Sequence, residues 1–262
     1  MSLATFAEDQ GIGVVTLNNP PLNLLSTKLL ADLDAAVDAA AGSAARAVIV
    51  RAEGGHFGAG ADAGDMFAGV SGEQARPQII GWLHTLRKLE TLPVPVIAQV
   101  QGTCVGGGLE LALYCDVIVA GASARLGHLE ANLGTATLLG GAQRIAERAG
   151  PARARWFVYT ADAVDAATCQ AWGIVQQVVA DHLLAETVDA LARRLADGPT
   201  RAHAITKRLI GAQRDRGVAA ADELLLDLAH TVYDTADMQH GVAVLVEHGA
   251  RKLKEKTSFV GR

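Results

Sequence analysis

The sequence predicts an α/β fold on three observations. Apolar runs of strand length alternate with segments of helical period as far as residue 179. Two glycine-rich segments, at 53–67 and 101–111, fall between these runs, the second where a strand hands over to a helix. From residue 180 the period is helical and stays so, which sets a helical C-terminal region, 196–262, apart from a core of 1–195.

Each element follows in order. Gly13-Val14-Val15-Thr16-Leu17-Asn18 reads as a strand, stopped by Asn19-Pro20-Pro21. Ser26 is placed to cap a helix over 27–41, with Leu29, Leu30, Leu33, Val37 and Ala40 on one face. A buried strand follows at 47–51, and a helix over 73–90 carries Ile79, Ile80, Trp82, Leu83, Leu86 and Leu89 as core positions. Pro93 and Pro95 end that helix ahead of a strand over 94–100. Further strands are expected at 116–120 and 173–179, with helices beginning at 140 and running over 161–170. The C-terminal helices are expected at 181–196, 200–214, 218–236 and 238–250, and their apolar faces suit packing on the core or on a neighbouring subunit.

Composition narrows the functional classes. At 262 residues, 50% hydrophobic and 19% charged, the chain is long and apolar enough to bury a sizeable core. Aromatics are 4%, so Ala, Val, Leu and Ile must fill it. A net charge of −5 gives no electrostatic footprint for nucleic acid or an anionic membrane. Cys104, Cys115 and Cys169 form no CxxC pair and no metal-ligand spacing, which fits a reducing compartment. The first residues carry no basic or apolar leader and no apolar run reaches a membrane span, so a cytoplasmic location is expected, with no metal and no separate cofactor.

Chemistry concentrates in three places. In Gln101-Gly102-Thr103-Cys104-Val105-Gly106-Gly107-Gly108-Leu109-Glu110-Leu111, glycines at a helix start let backbone N–H groups approach a ligand, a cradle for negative charge with a carboxylate in the first helical turn. The segment His56-Phe57-Gly58-Ala59-Gly60-Ala61-Asp62-Ala63-Gly64 is similarly free of bulk. Its His56 lacks a second ligand at suitable spacing and reads as structural or exposed. Glu130 lies in an apolar, glycine-bearing loop, where an unpaired carboxylate would be costly or have a raised pKa. Other glycine-rich folds are excluded: a Walker loop needs Gly-Lys-Ser/Thr where Leu109-Glu110 stands, the position does not suit a Rossmann fingerprint, and no G-x-S-x-G elbow occurs.

These motifs together resemble the crotonase, or enoyl-CoA hydratase/isomerase, superfamily. The residues that carry the resemblance are Phe57 to Asp62, Gln101 to Leu111, Gly127-His128-Leu129-Glu130 with Leu133-Gly134-Thr135, and Gly140-Gly141-Ala142-Gln143-Arg144. The resemblance implies a spiral of ββα units followed by helices that form a homotrimer or a dimer of trimers. It implies an acyl-CoA thioester as substrate, with coenzyme A as part of that substrate. The N–H groups of Ala61 and Gly107 would then form an oxyanion hole, with Gly106 beside it and Ala59, Asp62, Ala63 and Gly64 along the CoA moiety. Glu110 and Glu130 fall on the acid positions of the family's hydratases. The reaction implied is syn addition of water to a 2-enoyl thioester, Glu130 serving C2 and Glu110 holding the water. An isomerase, a hydratase of a cyclic dienoyl-CoA, an acyl-CoA hydrolase, or a non-catalytic acyl-CoA- or RNA-binding member are the alternatives. Three departures stand out: Leu138 where a glycine is common, Leu129 for a proline, and Gly64 for a lysine near CoA. Leu138 keeps its N–H but adds bulk to the acyl pocket.

Overall fold

The computed structural model describes residues 2–261. β1 (Ala4–Asp9) and β2 (Ile12–Leu17) form a hairpin that turns through Gln10 and Gly11, both at positive φ, as a two-residue turn of matching twist requires. α1 (Thr27–Ala41) leads to β3 (Ala47–Ala52), and α2 (Ala63–Met66) with α3 (Gly72–Glu90) leads to β4 (Val96–Val100). β5 (Thr103–Val105) and α4 (Gly107–Ala112) follow, then β6 (Val117–Gly121), β7 (Arg125–Gly127) and a 3-10 turn at Glu130–Leu133. Next come α5 (Gly141–Ala149), α6 (Pro151–Thr160), β8 (Ala163–Asp165), α7 (Ala166–Ala171) and β9 (Gln177–Val179). The rest is helical: α8 (Leu184–Ala196), α9 (Thr200–Arg216), α10 (Val218–Leu228), α11 (Ala236–His248) and α12 (Leu253–Lys256).

Two sheets result. The larger has the order β1-β2-β3-β4-β6-β9 and is parallel except for the β1 hairpin; the smaller has the order β5-β7-β8. Strand alternation explains why β3, β4 and β6 read as continuous apolar runs, since both faces of the larger sheet are covered. Val48, Val50, Val96, Ala98, Val100 and Ile118 face the main core, whereas Ala47, Ile49, Ile97 and Val119 pack under α8. α8 meets them with Leu184, Val188, Ala192 and Ala196, a stripe at intervals of four that lies on one helical face.

Each strand of the larger sheet that precedes the site is followed by a short strand or bridge in the smaller one. β4 passes to β5 and then α4, and β6 passes to β7 and then the 3-10 turn. After β3, Gly58 bridges Cys104 in parallel before α2 begins. This is the ββα spiral, and it stacks the 57–61 segment, β5 and β7 side by side.

Several expected boundaries change. The first strand has a partner, β1, whose polar, partly exposed sequence hides it from a search for apolar runs. A helix over 161–170 is not found; Ala161 is left-handed (φ 50°), Ala163–Asp165 pairs with β7, and Asp165 caps the shorter α7 through Thr168 N–H at 2.7 Å. α6 was concealed because its six central residues, Arg153 to Val158, mix charge and aromatics with a weak apolar stripe. The last strand shrinks to Gln177–Val179, and the expected 218–236 helix ends at Leu228 and continues as a 3-10 turn, Ala229–Val232. The strand over 94–100 does not run straight into a helix: β5 intervenes. The helical C-terminal region is tied back by Arg46, which donates to Thr200 Oγ1, Gly198 O and Phe259 O, and by buried Asp237, which accepts from Val260 and Gly261 N–H.

Behind the site the backbone of Gly108 lies close to its neighbour, and an added Cβ would stand 2.3 Å from Gly58 O. Gly81, exposed in mid-α3, has no atom within 4 Å of such a Cβ. Gly108→Ala is therefore expected to destabilise by about 3 kcal/mol or more through forced backbone shifts, while Gly81→Ala stabilises by roughly 0.5–1 kcal/mol. Urea denaturation of the two variants checks this; equal and small effects would contradict the packing described.

Candidate active site

The recess is built from two backbone segments that run side by side. Gly58 N–H donates to Thr103 O (3.1 Å) and Val105 N–H to Gly58 O (2.9 Å), fixing the 57–61 segment against β5. On its other side, Leu25 N–H donates to Gly60 O and Asp62 N–H to Leu25 O. In a parallel bridge of this kind the N–H of the intervening residue, Ala61, points away from Leu25. Gly106 holds φ at 52°, a left-handed conformation open to glycine, and so starts α4 with the N–H of Gly107 unpaired by the helix. A Cβ on Gly107 would lie 3.8 Å from Ala61 N, which makes the two amides neighbours. Among the described residues neither amide has a hydrogen-bond acceptor. Two adjacent free N–H groups at a helix start suit a developing oxyanion.

Below them lie two buried carboxylates and an imidazole. Glu110, in the first turn of α4, is 2% exposed, Glu130 9% and His128 0%. Glu110 accepts from Thr137 Oγ1, from Gly141 N–H at 2.8 Å and from Leu139 N–H at 3.2 Å. It thus caps the N-terminus of α5, a helix end that favours negative charge. Gly141 leaves room for this, since a Cβ there would be 2.8 Å from Glu110 Cγ and 3.1 Å from His128 Cδ2. His128 Nδ1 stands 2.8 Å from Glu130 Oε2, and Nε2 3.9 Å from Glu110 Oε1, both ion-pair separations. By hydrogen-bond geometry neither ring nitrogen, nor Glu130 Oε2, has a partner among the described residues, so the 2.8 Å contact is an ion-pair separation and not an aligned hydrogen bond. The imidazole at 2.8 Å thus offers Glu130 an ion-pair partner within its apolar loop.

Burial alone would raise the Glu110 carboxyl, but His128, the Thr137 hydroxyl and the Gly141 amide outweigh it and hold it below its usual range. Burial likewise opposes a charged imidazole, yet the carboxylates of Glu110 and Glu130 raise His128 to about 9. Behind the pair, Tyr114 Oη donates to Leu139 O (2.7 Å), and Arg144 lies over the Tyr114 ring while pairing with Glu90. Arg214 of α9 pairs with the same Glu90, so the 137–141 loop that caps Glu110 is anchored to both halves of the chain.

The sequence-derived candidates divide in two. Ala59, Ala61, Gly106, Gly107, Glu110, Glu130 and Leu138 all line one cavity of about 270 Å³, closed by Met66, Phe67, Trp82 and Leu133. Asp62, Ala63 and Gly64 do not line it; Asp62 Oδ1 instead accepts from Gly64 and Asp65 N–H and caps α2. His56 is structural, its Nδ1 accepting from Thr103 N–H at 3.0 Å. The residues that sequence reasoning missed are His128 and Thr137. Their signal was available: His128 sits two positions before Glu130 in an extended run, and Thr137 heads the loop before Gly140-Gly141. Glu110, His128 and Glu130 also form a grouping of metal-ligand types within 4.8 Å. The two ring nitrogens face different carboxylates, Glu130 from Nδ1 and Glu110 from Nε2.

The spiral, the paired amides and the buried acids define a crotonase-type protein, and comparison with known proteins agrees. The enoyl-CoA hydratase/isomerase family profile matches residues 7–256. A probable enoyl-CoA hydratase of Rhizobium meliloti (strain 1021) is 33% identical over 255 residues, 95% of this chain and 97% of that one. A (7aS)-7a-methyl-1,5-dioxo-2,3,5,6,7,7a-hexahydro-1H-indene-carboxyl-CoA hydrolase of Mycobacterium tuberculosis (strain ATCC 25618 / H37Rv) is 38% identical over 202 residues, 77% of this chain and 81% of its own. The crystal structure of an enoyl-CoA hydratase from Bacillus anthracis superposes with a TM-score of 0.89 at 28% identity, covering 99% of this chain and 100% of that one. The chain belongs to the enoyl-CoA hydratase/isomerase family.

The buried charges fix a pH signature. Glu110, depressed in the folded state, contributes stability above its unfolded pKa that is lost as pH falls through its folded value. His128, raised to about 9, contributes stability fully present below its ordinary value of 6.5 and lost as pH rises through 9. The His128 contribution is about 3 kcal/mol at 1.36 kcal/mol per pKa unit. Urea midpoints measured from pH 6 to 10 are expected to fall across the upper part of that range; midpoints that rise there would contradict a buried imidazolium.

Proposed function

We propose that the protein is an enoyl-CoA hydratase that adds water across the 2,3 double bond of an enoyl-CoA thioester. One observation carries the reading: Glu110 and Glu130 face the same cavity beneath the free N–H groups of Ala61 and Gly107. In this reading the thioester carbonyl accepts from both amides. Polarisation draws electron density from C3, and loss of one such donor costs about 3 kcal/mol of barrier. A water held between the carboxylates gives its proton to Glu130 as its oxygen bonds to C3. The C2–C3 π electrons pass to the carbonyl oxygen, giving an enolate under the two amides. The enolate collapses, and C2 takes the proton from Glu130. Glu110, with its Oε1 fixed by Thr137 and Gly141, orients the water through its less occupied oxygen. No cofactor beyond the CoA of the substrate enters these steps.

Leu138, Leu133 and Trp82 line the acyl end of the cavity in this reading, Gly106 lies beside the two amides, and CoA runs from Ala59 out of the cavity along the Asp62-Ala63-Gly64 turn. The helical region 196–262 serves as the trimerisation surface of a core spanning 1–195, supported by exposed Leu226 and Val246 on α10 and α11. No helix among the described residues is long and apolar enough to cross a membrane. Three buried free cysteines support work in a reducing compartment, the cytoplasm in this reading. A second reading, hydrolysis of a cyclic carboxyl-CoA thioester, is favoured by the 38% identity to the indene-carboxyl-CoA hydrolase.

Loss of conjugated enoyl-thioester absorbance with crotonyl-CoA, followed together with release of free CoA thiol, decides between them, since hydration removes the absorbance without freeing thiol and thioester hydrolysis frees it. The wild-type protein is expected to consume it, and Glu110→Gln and Glu130→Gln each to lower kcat by at least about 100-fold. Tight binding of crotonyl-CoA and of longer 2-enoyl-CoAs with no absorbance loss would sink the hydratase reading and favour the hydrolase.

A further inference from the structure

His128 is the one member of the buried trio for which the reaction above has no use. Its surroundings are nevertheless specific. The ring is fully buried, and its two nitrogens face two different carboxylates, Glu130 at 2.8 Å and Glu110 at 3.9 Å. No backbone carbonyl or hydroxyl among the described residues competes for either nitrogen. Four elements neighbour the ring. α4 presents Glu110 and the 3-10 turn presents Glu130. The start of α5 presents Gly141, without a side chain, while its Arg144 is engaged by Glu90 and the Tyr114 ring. β8, beside β7, ends in Asp165, whose carboxylate is spent on the cap of α7.

Two carboxylates buried this close cannot both ionise unaided, because like charges in a dry site share one proton. A shared proton would disable the chemistry proposed above, which begins with both acids ionised: one must take a proton from water while the other holds that water. Resting on that reading, we propose that His128 is a positioning residue, a permanent imidazolium between Glu110 and Glu130 that keeps both carboxylates ionised and aims Glu130 at the cavity. The trio then carries a net charge of −1, from two anions and one cation. His128 keeps its proton through the cycle: the proton that leaves water passes to Glu130 and then to C2, and the imidazolium neither gives nor receives one. The raised affinity of His128 for its proton is in keeping with this. So is the Thr137 hydroxyl, a donor that stabilises an ionised Glu110 as the imidazolium does.

Two measurements test the proposal, the first independent of any turnover. In protein labelled at histidine, the His128 ring signals are identified among the eight histidines by their loss in His128→Gln and followed by NMR against pH without substrate. The ring is expected to be cationic at pH 7.5, with a midpoint near 9 that falls in Glu130→Gln. A neutral ring at pH 7.5 overturns the proposal, whether or not the protein proves to be a hydratase. The second uses crotonyl-CoA turnover. In His128→Gln the carboxylates lose their shared cation, so kcat at pH 7 is expected to drop about 100-fold with KM unchanged. The acid limb of kcat should move to higher pH, with activity recovering as pH rises. A His128→Gln profile parallel to wild type at every pH, or a loss confined to thermal stability, overturns the positioning role. Should wild-type protein turn over no enoyl-CoA, the hydratase reading fails, and the NMR titration still decides the charge state and the placement of His128.

Discussion

Burying two carboxylates within a few ångströms of each other is the constraint on which the rest of the site depends. Each would cost several kcal/mol unpaired, and their mutual repulsion would drive a proton onto one of them. The fold supplies a solution from three directions. α5 turns its N-terminus and the Gly141 amide onto Glu110, the 137–141 loop adds the Thr137 hydroxyl, and β7 delivers His128 between the two acids. The glycine at 141 exists in this account for clearance, since any Cβ would strike Glu110 and the imidazole together.

The same constraint explains features far from the cavity. A loop that must hold three donors on one carboxylate cannot be left free, and Tyr114, Arg144 and Glu90 fasten it from behind. Arg214 reaches Glu90 from α9, so the helical C-terminal region contributes to the rigidity of the acid pair without touching it. On the opposite wall, glycine and alanine at 58–61 and glycine at 106–108 let two backbone segments lie close enough for two amides to converge. Electrostatic preorganisation here is a property of packing: the donors are in place before any substrate arrives.

Much of this was legible in the chain. The parallel strands announced themselves as continuous apolar runs because both sheet faces are covered, by the main core and by α8. The helix at Thr27–Ala41 was readable from Ser26 and a clean apolar stripe, and the structure shows Ser26 accepting from Leu29 N–H. Where tertiary pairing rather than local pattern decides, the reading faltered. β5, β7 and β8 are three residues long, too short to show a period, and exist because they pair with one another. α6 buries only Ala154 and Phe157, so its stripe is too weak to stand out. The glycine clusters and both glutamates were found because their chemistry is local to the motif. His128 and Thr137 were missed because their meaning is relational: a histidine becomes informative when a fold sets it between two acids 20 positions apart in sequence.

The central claim is that this site holds a thioester carbonyl under two amides with its reacting carbons above the acid pair. A crystal structure with a saturated acyl-CoA such as butyryl-CoA tests it most directly. The account predicts the carbonyl oxygen at about 3 Å from the N atoms of Ala61 and Gly107, with C2 facing Glu130 and C3 facing the gap between Glu130 and Glu110. A thioester bound in the cavity with its carbonyl turned away from those amides, or its C2–C3 edge away from both glutamates, would contradict it.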